Sequence, residues 1–251
     1  MTMKYHGKNR VSSIDVIRTG RQGLADGLYK YYYCSIGANE EIQINDLSSF
    51  TIAIIGDAGD SRIRVVESDR YVSSGEIIQA ENVSVTLQIK GDASRFLLAG
   101  ASDSFFSESK LEIIKSEDVH KVVKPWGYEL WLNGQHPGYA FKMLFLKRGS
   151  KTSLQYHRHK QETNVIYSGT ALLHYKNNED IDNDVVRPED IDNVLVESAS
   201  AIDVSPFTLH RLEALTDLLQ YETSTPHLDD VVRVHDDSKR KDGRIDSEHL
   251  E

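Results

Sequence analysis

The chain has 251 residues, a formal net charge of −10 and one cysteine, Cys34, so its length allows two ordinary domains. The acidic balance excludes binding to nucleic acid through a general basic surface, and no apolar run approaches the ~20 residues that cross a bilayer. Because a lone cysteine forms no internal disulfide and the first ten residues are polar, we predict a cytoplasmic protein without a membrane segment.

Residues 1–117 are predicted to form a β-rich domain. Short apolar runs alternate with Gly, Asp, Asn and Ser, as is typical of a β-sandwich or barrel. This half contains one histidine, His6, and no cluster of metal ligands or nucleophiles, so a structural or dimerising role is predicted. The predicted strands are residues 13–18, 28–35, 50–55, 62–67, 76–79, 83–89 and 96–99.

Residues 107–119 are mostly charged or small, which predicts a connection between two halves. Residues 118–251 are predicted to form a second β domain. The number of short strands favours a jelly-roll type of barrel. The charged tail, residues 236–251, is expected to lie over the barrel or to fray. The predicted strands are residues 124–131, 139–146, 153–159, 164–167, 171–175, 193–197, 201–204 and 218–222.

Charge is distributed unevenly in this second half. Residues 119–160 contain eight Lys and Arg against the single acid Glu129, whereas residues 177–197 contain eight Asp and Glu against Arg187. The basic segment predicts a positive surface suited to an anionic small molecule, with a solvated face as the alternative. The acidic segment is predicted to be a surface insertion.

The segment Gly149–Gly169 concentrates residues that bind metals. Gln155, His157 and His159 fall at alternate positions, so in a β-strand their side chains leave one face, and Glu162 follows closely. A later strand that begins near His210 supplies a further ligand. Because metal sites in β-barrels draw ligands from several strands, either Gln155 or His159 fits beside His157.

This spacing resembles the first motif of the cupin superfamily, which reads Gly, five residues, His-x-His, three or four residues, Glu, six residues, Gly. From Gly149 to Gly169 every interval matches when Gln155 replaces the first histidine and His157 is the second. A Gln-x-His pair followed by Glu and His is similar to the zinc site of phosphomannose isomerases. The closest resemblance is to the cupin isomerase domain of the bifunctional, type II, mannose-6-phosphate isomerases.

The resemblance covers about residues 119–245. The bifunctional enzymes also have a nucleotidyltransferase half. Residues 1–117 stand in its place here, so synthesis of GDP-mannose is not implied. Segment 206–210 also lacks the glycine usual in the second cupin motif. The matching motifs are Lys-Pro-Trp-Gly at 124–127, Ser-Leu-Gln-Tyr-His-Arg-His-Lys-Gln-Glu at 153–162, Ser-Gly-Thr-Ala at 168–171, His-Arg-Leu-Glu at 210–213, Leu-Asp-Asp-Val-Val-Arg at 228–233, Asp-Asp at 236–237 and Gly-Arg at 243–244.

The resemblance implies a metal-dependent aldose-to-ketose isomerisation of a phosphorylated hexose, in the manner of mannose-6-phosphate isomerase. The implied ligands are Gln155, His157, Glu162 and His210, which would hold zinc, with iron, manganese or nickel as alternatives. A base must move a proton between two sugar carbons. His159 and Glu213 are both candidates for that base, and His159 is also a candidate fifth ligand or rim residue.

A sugar phosphate further requires cationic donors. Alternation predicts that Arg158 and Lys160 face away from the ligands. Arg244 matches the terminal Gly-Arg of the family, so the resemblance adds it to the predicted catalytic residues His159 and Glu213. The predicted substrate-binding residues are Lys124, Trp126, Lys142 and Arg233.

The sequence therefore predicts an all-β protein with two β-rich domains, divided between residues 117 and 118. The C-terminal domain is the cupin jelly-roll barrel, and the N-terminal domain is a candidate degenerate second cupin, which would make the chain a bicupin. The resemblance also implies a homodimer. The alternatives to an isomerase are a bicupin that binds a sugar or sugar nucleotide without catalysis, and a metal-dependent oxygenase or epimerase.

Overall fold

The computed structural model describes residues 2–6, 13–15, 29–37, 39–55, 62–92, 94–177 and 190–248. Most of the predicted acidic insertion, residues 178–189, lies outside these ranges. The chain divides into two compact units: a C-terminal unit of Met1–Ile14, Lys121–Trp131 and Lys142–Glu251, and an N-terminal unit of Asp15–His120 and Leu132–Phe141. The units thus interleave along the sequence, whereas the sequence analysis places a single boundary near residue 117.

The described residues are almost entirely β-strand, which confirms the predicted fold class. Short 3-10 turns occur at Val66–Ser68, Ser116–Asp118 and Asp246–Glu248. The strands are β1 Thr2–His6, β2 Ser13–Asp15, β3 Lys30–Ile36, β4 Glu41–Ile44, β5 Ser49–Ile55, β6 Arg62–Val65, β7 Arg70–Val72, β8 Ile77–Glu81, β9 Val85–Lys90, β10 Ser94–Ala101, β11 Lys110–Ile114, β12 His120–Lys124, β13 Gly127–Asn133, β14 Ala140–Leu146, β15 Leu154–Tyr156, β16 Glu162–Ser168, β17 Thr170–Asn177, β18 Asp192–Glu197, β19 Ser200–Val204, β20 Thr208–Ala214, β21 Leu218–Ser224 and β22 Val232–His235.

The C-terminal unit is built mainly on two sheets. One has eight strands in the order β12-β13-β14-β21-β16-β19-β1-β2, and the other has five in the order β18-β17-β20-β15-β22. Leu146 and Ile166 of the first sheet share a core with Leu173 and Leu212 of the second. Two sheets that bury their inner faces against each other form a jelly-roll barrel.

The N-terminal unit repeats this plan with smaller sheets, in the orders β11-β8-β5-β10-β3 and β4-β9-β6-β7. Phe50 and Phe96 of one sheet share a core with Val65 and Leu87 of the other. Cys34 lies in this core. Burial raises the pKa of its thiol to about 12, so this cysteine is unreactive.

The segment predicted to connect the two halves contains a strand instead. Residues Lys110–Ile114 form β11, which pairs with β8 at the edge of the N-terminal sheet. The charged residues around it hide this strand in the sequence, because an edge strand needs only a partly buried face. Among the described residues, no helix is long and apolar enough to cross a membrane.

Candidate metal centre

Strands β15 and β20 bring the first two candidate ligands together. They pair antiparallel with Gln155 directly opposite His210, and such residues project from the same face of a sheet. The prediction that a strand containing His210 runs back beside the first one is therefore confirmed. Gln155 is half-buried, and its Oε1 accepts a hydrogen bond of 2.5 Å from the Ser153 hydroxyl.

The strand ends sooner than the sequence predicts. β15 stops at Tyr156, and the chain then turns around Asp230. The Asp230 carboxylate accepts backbone hydrogen bonds from Arg158, His159 and Lys160 at 3.0, 2.5 and 2.8 Å. Burial opposes ionisation of Asp230, but these N–H groups lower its pKa below the usual value.

This turn reverses two predictions about side-chain direction. His159 is exposed, whereas Lys160 is buried, because the alternation of a strand does not continue past Tyr156. The prediction that His159 shares the ligand face is therefore wrong. The prediction that Lys160 points away from the site is wrong for the same reason.

His157, Glu162 and His210 form a buried cluster whose ligand atoms lie within 4.8 Å of one another. Glu162 Oε2 lies 3.5 Å from His157 Nε2, and Glu162 Oε1 lies 3.3 Å from His210 Nε2. In the described ranges, no other group of three or more His, Cys, Asp or Glu side chains is arranged to hold a metal ion.

Both imidazole rings turn Nε2 toward Glu162 because backbone carbonyls hold Nδ1. His157 Nδ1 donates to the Asp230 carbonyl, and His210 Nδ1 donates to the Thr208 carbonyl at 3.0 Å. A carbonyl only accepts, so Nδ1 carries the proton and a neutral ring presents a lone pair at Nε2. This second contact is the usual way in which proteins orient metal-binding histidines.

The donor set fits a divalent cation. His157 is fully buried, its Nε2 has no hydrogen-bond partner, and burial lowers its pKa, which favours the neutral ring. An unpaired polar atom in the interior is costly, and two lone pairs facing a carboxylate attract a cation. His157, Glu162 and His210 are therefore the residues that could hold a metal, and Gln155, opposite His210 on the neighbouring strand, stays a predicted fourth ligand.

Lys160 is a cation beside this cluster that the sequence did not reveal. Its Nζ donates to Glu162 Oε2 at 2.5 Å and to Glu222 Oε1 at 2.7 Å, and all three side chains are buried. Burial by itself lowers the pKa of Lys160, but the two carboxylates raise it above the usual value. Burial likewise opposes ionisation of Glu162, but Lys160 and the histidines hold its pKa well below the usual range.

Two amides complete the support of Glu162. Asn164 Nδ2 donates to Glu162 Oε1 at 3.0 Å, and Gln220 Nε2 donates to Asn164 Oδ1 at 3.2 Å. Gln220 and Glu222 alternate along β21 with Leu219 and Tyr221. Polar residues that alternate with large apolar ones are the signal from which both could have been predicted.

Glu162 and His210 of this cluster line a cavity of about 110 Å³ within the C-terminal unit. One water requires roughly 10–15 Å³ of such space, so the cavity has room for several waters or a small molecule. Basic side chains outnumber acidic ones on its walls, which suits an anionic ligand. The charged lining residues are Lys124, Lys142, Lys160, Arg233, Arg240 and Arg244 with Glu129, Glu162 and Glu222.

Glu129 and Lys142 lie close together on the cavity wall. Burial raises the pKa of Glu129, but Lys142 and Lys124 outweigh it and hold the value at about 2. Lys142 Nζ lies 3.6 Å from Glu129 and 4.5 Å from the centre of the Trp131 ring. These contacts are longer than a hydrogen bond, so the Lys142 ammonium retains donors for a ligand.

The C-terminal segment forms part of the cavity wall, in agreement with the expectation that it lies over the barrel. Arg233 Nη1 donates to the carbonyls of Lys241 and Gly243. Arg240 pairs with Asp236 at 2.7 Å. These bonds tie the segment down, whereas Arg244 is half exposed and lies no closer than 3.5 Å to a carboxylate.

The Pro-Trp-Gly motif places Trp126, which is buried and lines the cavity. Gly127 follows at a φ of 154°, and a Cβ there would lie 1.9 Å from the Phe145 carbonyl oxygen. Only glycine allows β13 to approach β14 this closely. The predicted substrate-binding residues Lys124, Trp126, Lys142 and Arg233, together with Arg244, all line the cavity.

The two residues predicted as alternative bases lie elsewhere. Glu213 is three positions from His210 on β20 and therefore projects from the opposite face. It pairs with Lys151 and His174, each at 3.0 Å. The His159 ring lies 6.1 Å from the ring of His227, and neither His159 nor Glu213 lines the cavity.

The C-terminal unit combines a jelly-roll barrel with a His, Glu and His cluster, and the fold of the chain resembles that of bicupins such as oxalate decarboxylase. Because the sequence identities are low, this structural likeness shows a shared fold and nothing more. Examples are the oxalate decarboxylase of Lactobacillus farciminis (TM-score 0.58, 9% identity, 82% of this chain and 79% of that one), Ylba of E. coli (0.59, 12%, 80% and 78%) and hazelnut vicilin (0.55, 11%, 81% and 77%).

One part of the chain matches a more narrowly defined family. Residues 112–214 match the family described as Mannose-6-phosphate isomerase C-terminal. These residues are therefore a cupin domain related to mannose-6-phosphate isomerases, as the motifs predict. No curated protein matches the chain in sequence.

Proposed function

We propose that the protein is a metal-dependent isomerase that interconverts the aldose and ketose forms of a phosphorylated hexose. The observation that carries this proposal is that Glu162 and His210 of the buried cluster line a cavity with six basic and three acidic side chains. A metal centre beside an excess of cations suits a small substrate that is both polyhydroxylated and anionic. The relation of residues 112–214 to mannose-6-phosphate isomerases supports the same reaction class.

We propose zinc as the metal, held by Gln155 with the three buried ligands. One amide, two imidazoles and one carboxylate also suit manganese, iron or nickel. A bound divalent metal would act as a Lewis acid that polarises the carbonyl and the neighbouring hydroxyl of the open-chain sugar. The protein supplies the orientation, because Asp230 and Thr208 fix the two imidazoles and Asn164 fixes Glu162.

The proton that moves between the two sugar carbons requires a group on the cavity wall. Glu222 and Lys160 line the cavity, and their side chains are joined by a hydrogen bond of 2.7 Å. We propose Glu222 as the group that takes and returns the carbon-bound proton, with Lys160 holding it in place. This role replaces the one predicted for His159 or Glu213, which lie off the cavity.

The phosphate group is proposed to bind Lys142 and Arg244. Both side chains line the cavity, and neither makes a carboxylate contact shorter than 3.5 Å. Lys124 is less available, because its Nζ donates to Glu248 at 2.8 Å. Arg233 instead holds the C-terminal segment in place.

A coupled assay with mannose 6-phosphate and fructose 6-phosphate tests the proposal, after reconstitution with zinc, manganese, cobalt or nickel. We expect turnover that His210→Ala abolishes and that the exposed His159→Ala leaves within a few-fold. Lys142→Met should raise KM roughly tenfold or more, because the substrate loses a charged hydrogen bond. Lys151→Met should leave KM unchanged. Metal bound at full stoichiometry without turnover of either sugar phosphate would overturn the isomerase and favour a binding cupin.

We also propose that the protein acts in the cytoplasm as a homodimer. The single buried cysteine supports a reducing compartment, and the resemblance to dimeric family members supports the assembly. Light scattering of the purified chain tests the assembly, and a monomeric mass at micromolar concentration would exclude the dimer.

A further inference from the structure

The N-terminal unit contains a cavity of its own, about 580 Å³ in volume. All of its lining residues belong to this unit, and none of them lines the cavity of the metal centre. Its volume falls within the range of about 300–1,000 Å³ found for small-molecule sites.

The floor of this cavity is the outer face of β8. Ile78 and Ala80 of this strand are fully buried in the core, so Gln79 and Glu81 project to the other side. Glu81 lies opposite the fully buried Ser49 in the sheet, and the Ser49 hydroxyl donates to its carboxylate. This bond holds one carboxylate oxygen and leaves the other directed at the cavity wall.

His136 forms part of the cavity wall, and its Nε2 is enclosed within the protein. Its Nδ1 accepts a hydrogen bond of 3.0 Å from the Gly138 N–H, so in the neutral ring Nε2 carries the proton. Nε2 lies 3.4 Å from Glu81 Oε1 and has no hydrogen-bond partner, although His136 is only 5% exposed. Because its Nε2 is enclosed, His136 shapes the wall and offers no donor to a ligand.

Two aromatic rings stand at the edge of the cavity. Phe105 and Phe106 pack their edges against His136, with ring centres 5.1 and 5.4 Å away, and they remain 40% and 46% exposed. An exposed aromatic ring that is fixed by its neighbours offers a flat apolar surface to a ligand. Phe106 itself lines the cavity.

The remaining lining is rich in amides and carries little charge. Asn133 and Gln135 stand beside Gln79, and the carboxylates Glu81 and Glu108 face the single cation Lys110. Lys110 is also occupied, because its Nζ lies 2.7 Å from Glu112. This lining does not favour an anion, in contrast to the cavity of the metal centre.

We propose that this cavity binds an uncharged saccharide, with Glu81 and Gln135 contacting its hydroxyls and Phe106 packing on one face of its ring. Hydroxyls both donate and accept, so one sugar satisfies carboxylates and amides together. The C–H face of a pyranose is apolar and matches an aromatic ring. This site is independent of the proposed isomerase activity and would make the N-terminal unit a sugar-binding module.

Saturation-transfer NMR of the full chain with methyl α-mannoside, methyl β-glucoside and N-acetylglucosamine tests the proposal. We expect transfer to the ring protons of at least one of these probes. Phe106→Ala and Gln135→Ala should each weaken binding of that probe about five- to tenfold, because each variant removes roughly one contact. Both residues lie at the surface, so these variants should fold.

The matched control is Tyr71→Ala, which removes another exposed aromatic ring of the same unit and should leave binding unchanged. His210→Ala, which disables the metal centre, should also leave it unchanged. The absence of transfer to all three probes at millimolar concentration would overturn the proposal. So would transfer that survives Phe106→Ala and Gln135→Ala but disappears in His210→Ala, because the sugar would then occupy the metal-site cavity.

Discussion

Asp230 orients His157 through two separate groups. Its backbone carbonyl accepts the His157 Nδ1 proton, and its carboxylate holds the next three backbone N–H groups. One residue thus sets both the tautomer of a ligand and the turn that carries Lys160 into the cavity. The geometry of the metal centre therefore depends on a residue about 70 positions later in the chain.

Asp230→Ala should weaken metal binding by about 10–100-fold, the usual cost of removing support from a ligand. The backbone carbonyl remains, so the loss arises because three N–H groups lose their acceptor and the turn loosens. Metal titration followed by elemental analysis measures the effect. The neighbouring Asp229→Ala removes an 80% exposed carboxylate and is the control. Equal affinity in both variants would contradict the role assigned to Asp230.

Gln155→Ala should lower metal affinity about as much as His157→Ala. Gln155 lies directly opposite His210, so loss of its amide removes one ligand of four. His159→Ala should retain the metal, because His159 is exposed. Competition with a chelator gives all three affinities. Full retention of metal by the glutamine variant, together with its loss from the His159 variant, would restore the His157 and His159 pair as the ligand set.

Lys160→Met should lower the free energy of unfolding by about 3–5 kcal/mol in the metal-free protein. The change leaves Glu162 and Glu222 buried without the cation that they share, and an unpaired buried charge is costly. The double variant Lys160→Met with Glu222→Gln removes one of these charges and should recover part of the loss. Denaturant unfolding measures both variants, and a double variant less stable than the single one would refute the ion-pair network.

The stability of the protein should depend on pH through Asp203. Burial raises the pKa of Asp203 from 3.8 to about 7, and Thr163 donates to its carboxyl at 2.6 Å. Between about pH 4 and pH 7 the folded state therefore binds a proton that the unfolded state lacks, so this group lowers stability as pH rises through that range.

Asp203→Asn should remove this contribution and flatten the pH dependence of unfolding relative to the parent protein. The stabilising effect of the substitution should grow from pH 4 to pH 7 and then remain constant. Asp192→Asn removes an exposed carboxyl from a strand and should leave the slope unchanged. Parallel curves for the parent and Asp203→Asn would show that Asp203 titrates near its ordinary value.

The residue spacing in Gly149–Gly169 was sufficient to predict two of the buried polar residues at the centre. Side chains that are close in sequence meet in a predictable way when a strand or a tight turn joins them, as with His157 and Glu162. The alternation of apolar residues likewise predicted the β class of both units, because strand periodicity is a local property. Glycine at 169, with a φ of 92°, marks one end of the segment in both sequence and structure.

The inward direction of Lys160 and the position of Glu222 depend on contacts between distant parts of the chain. Asp230 bends the backbone after Tyr156, and this overrides the alternation that a continuous strand would impose. Glu222 comes from another strand and meets Lys160 only when the barrel closes. Such pairs are separated by about 60 to 70 residues, so local patterns predict the buried His157 and Glu162, while folding of the barrel determines the charged groups that surround them.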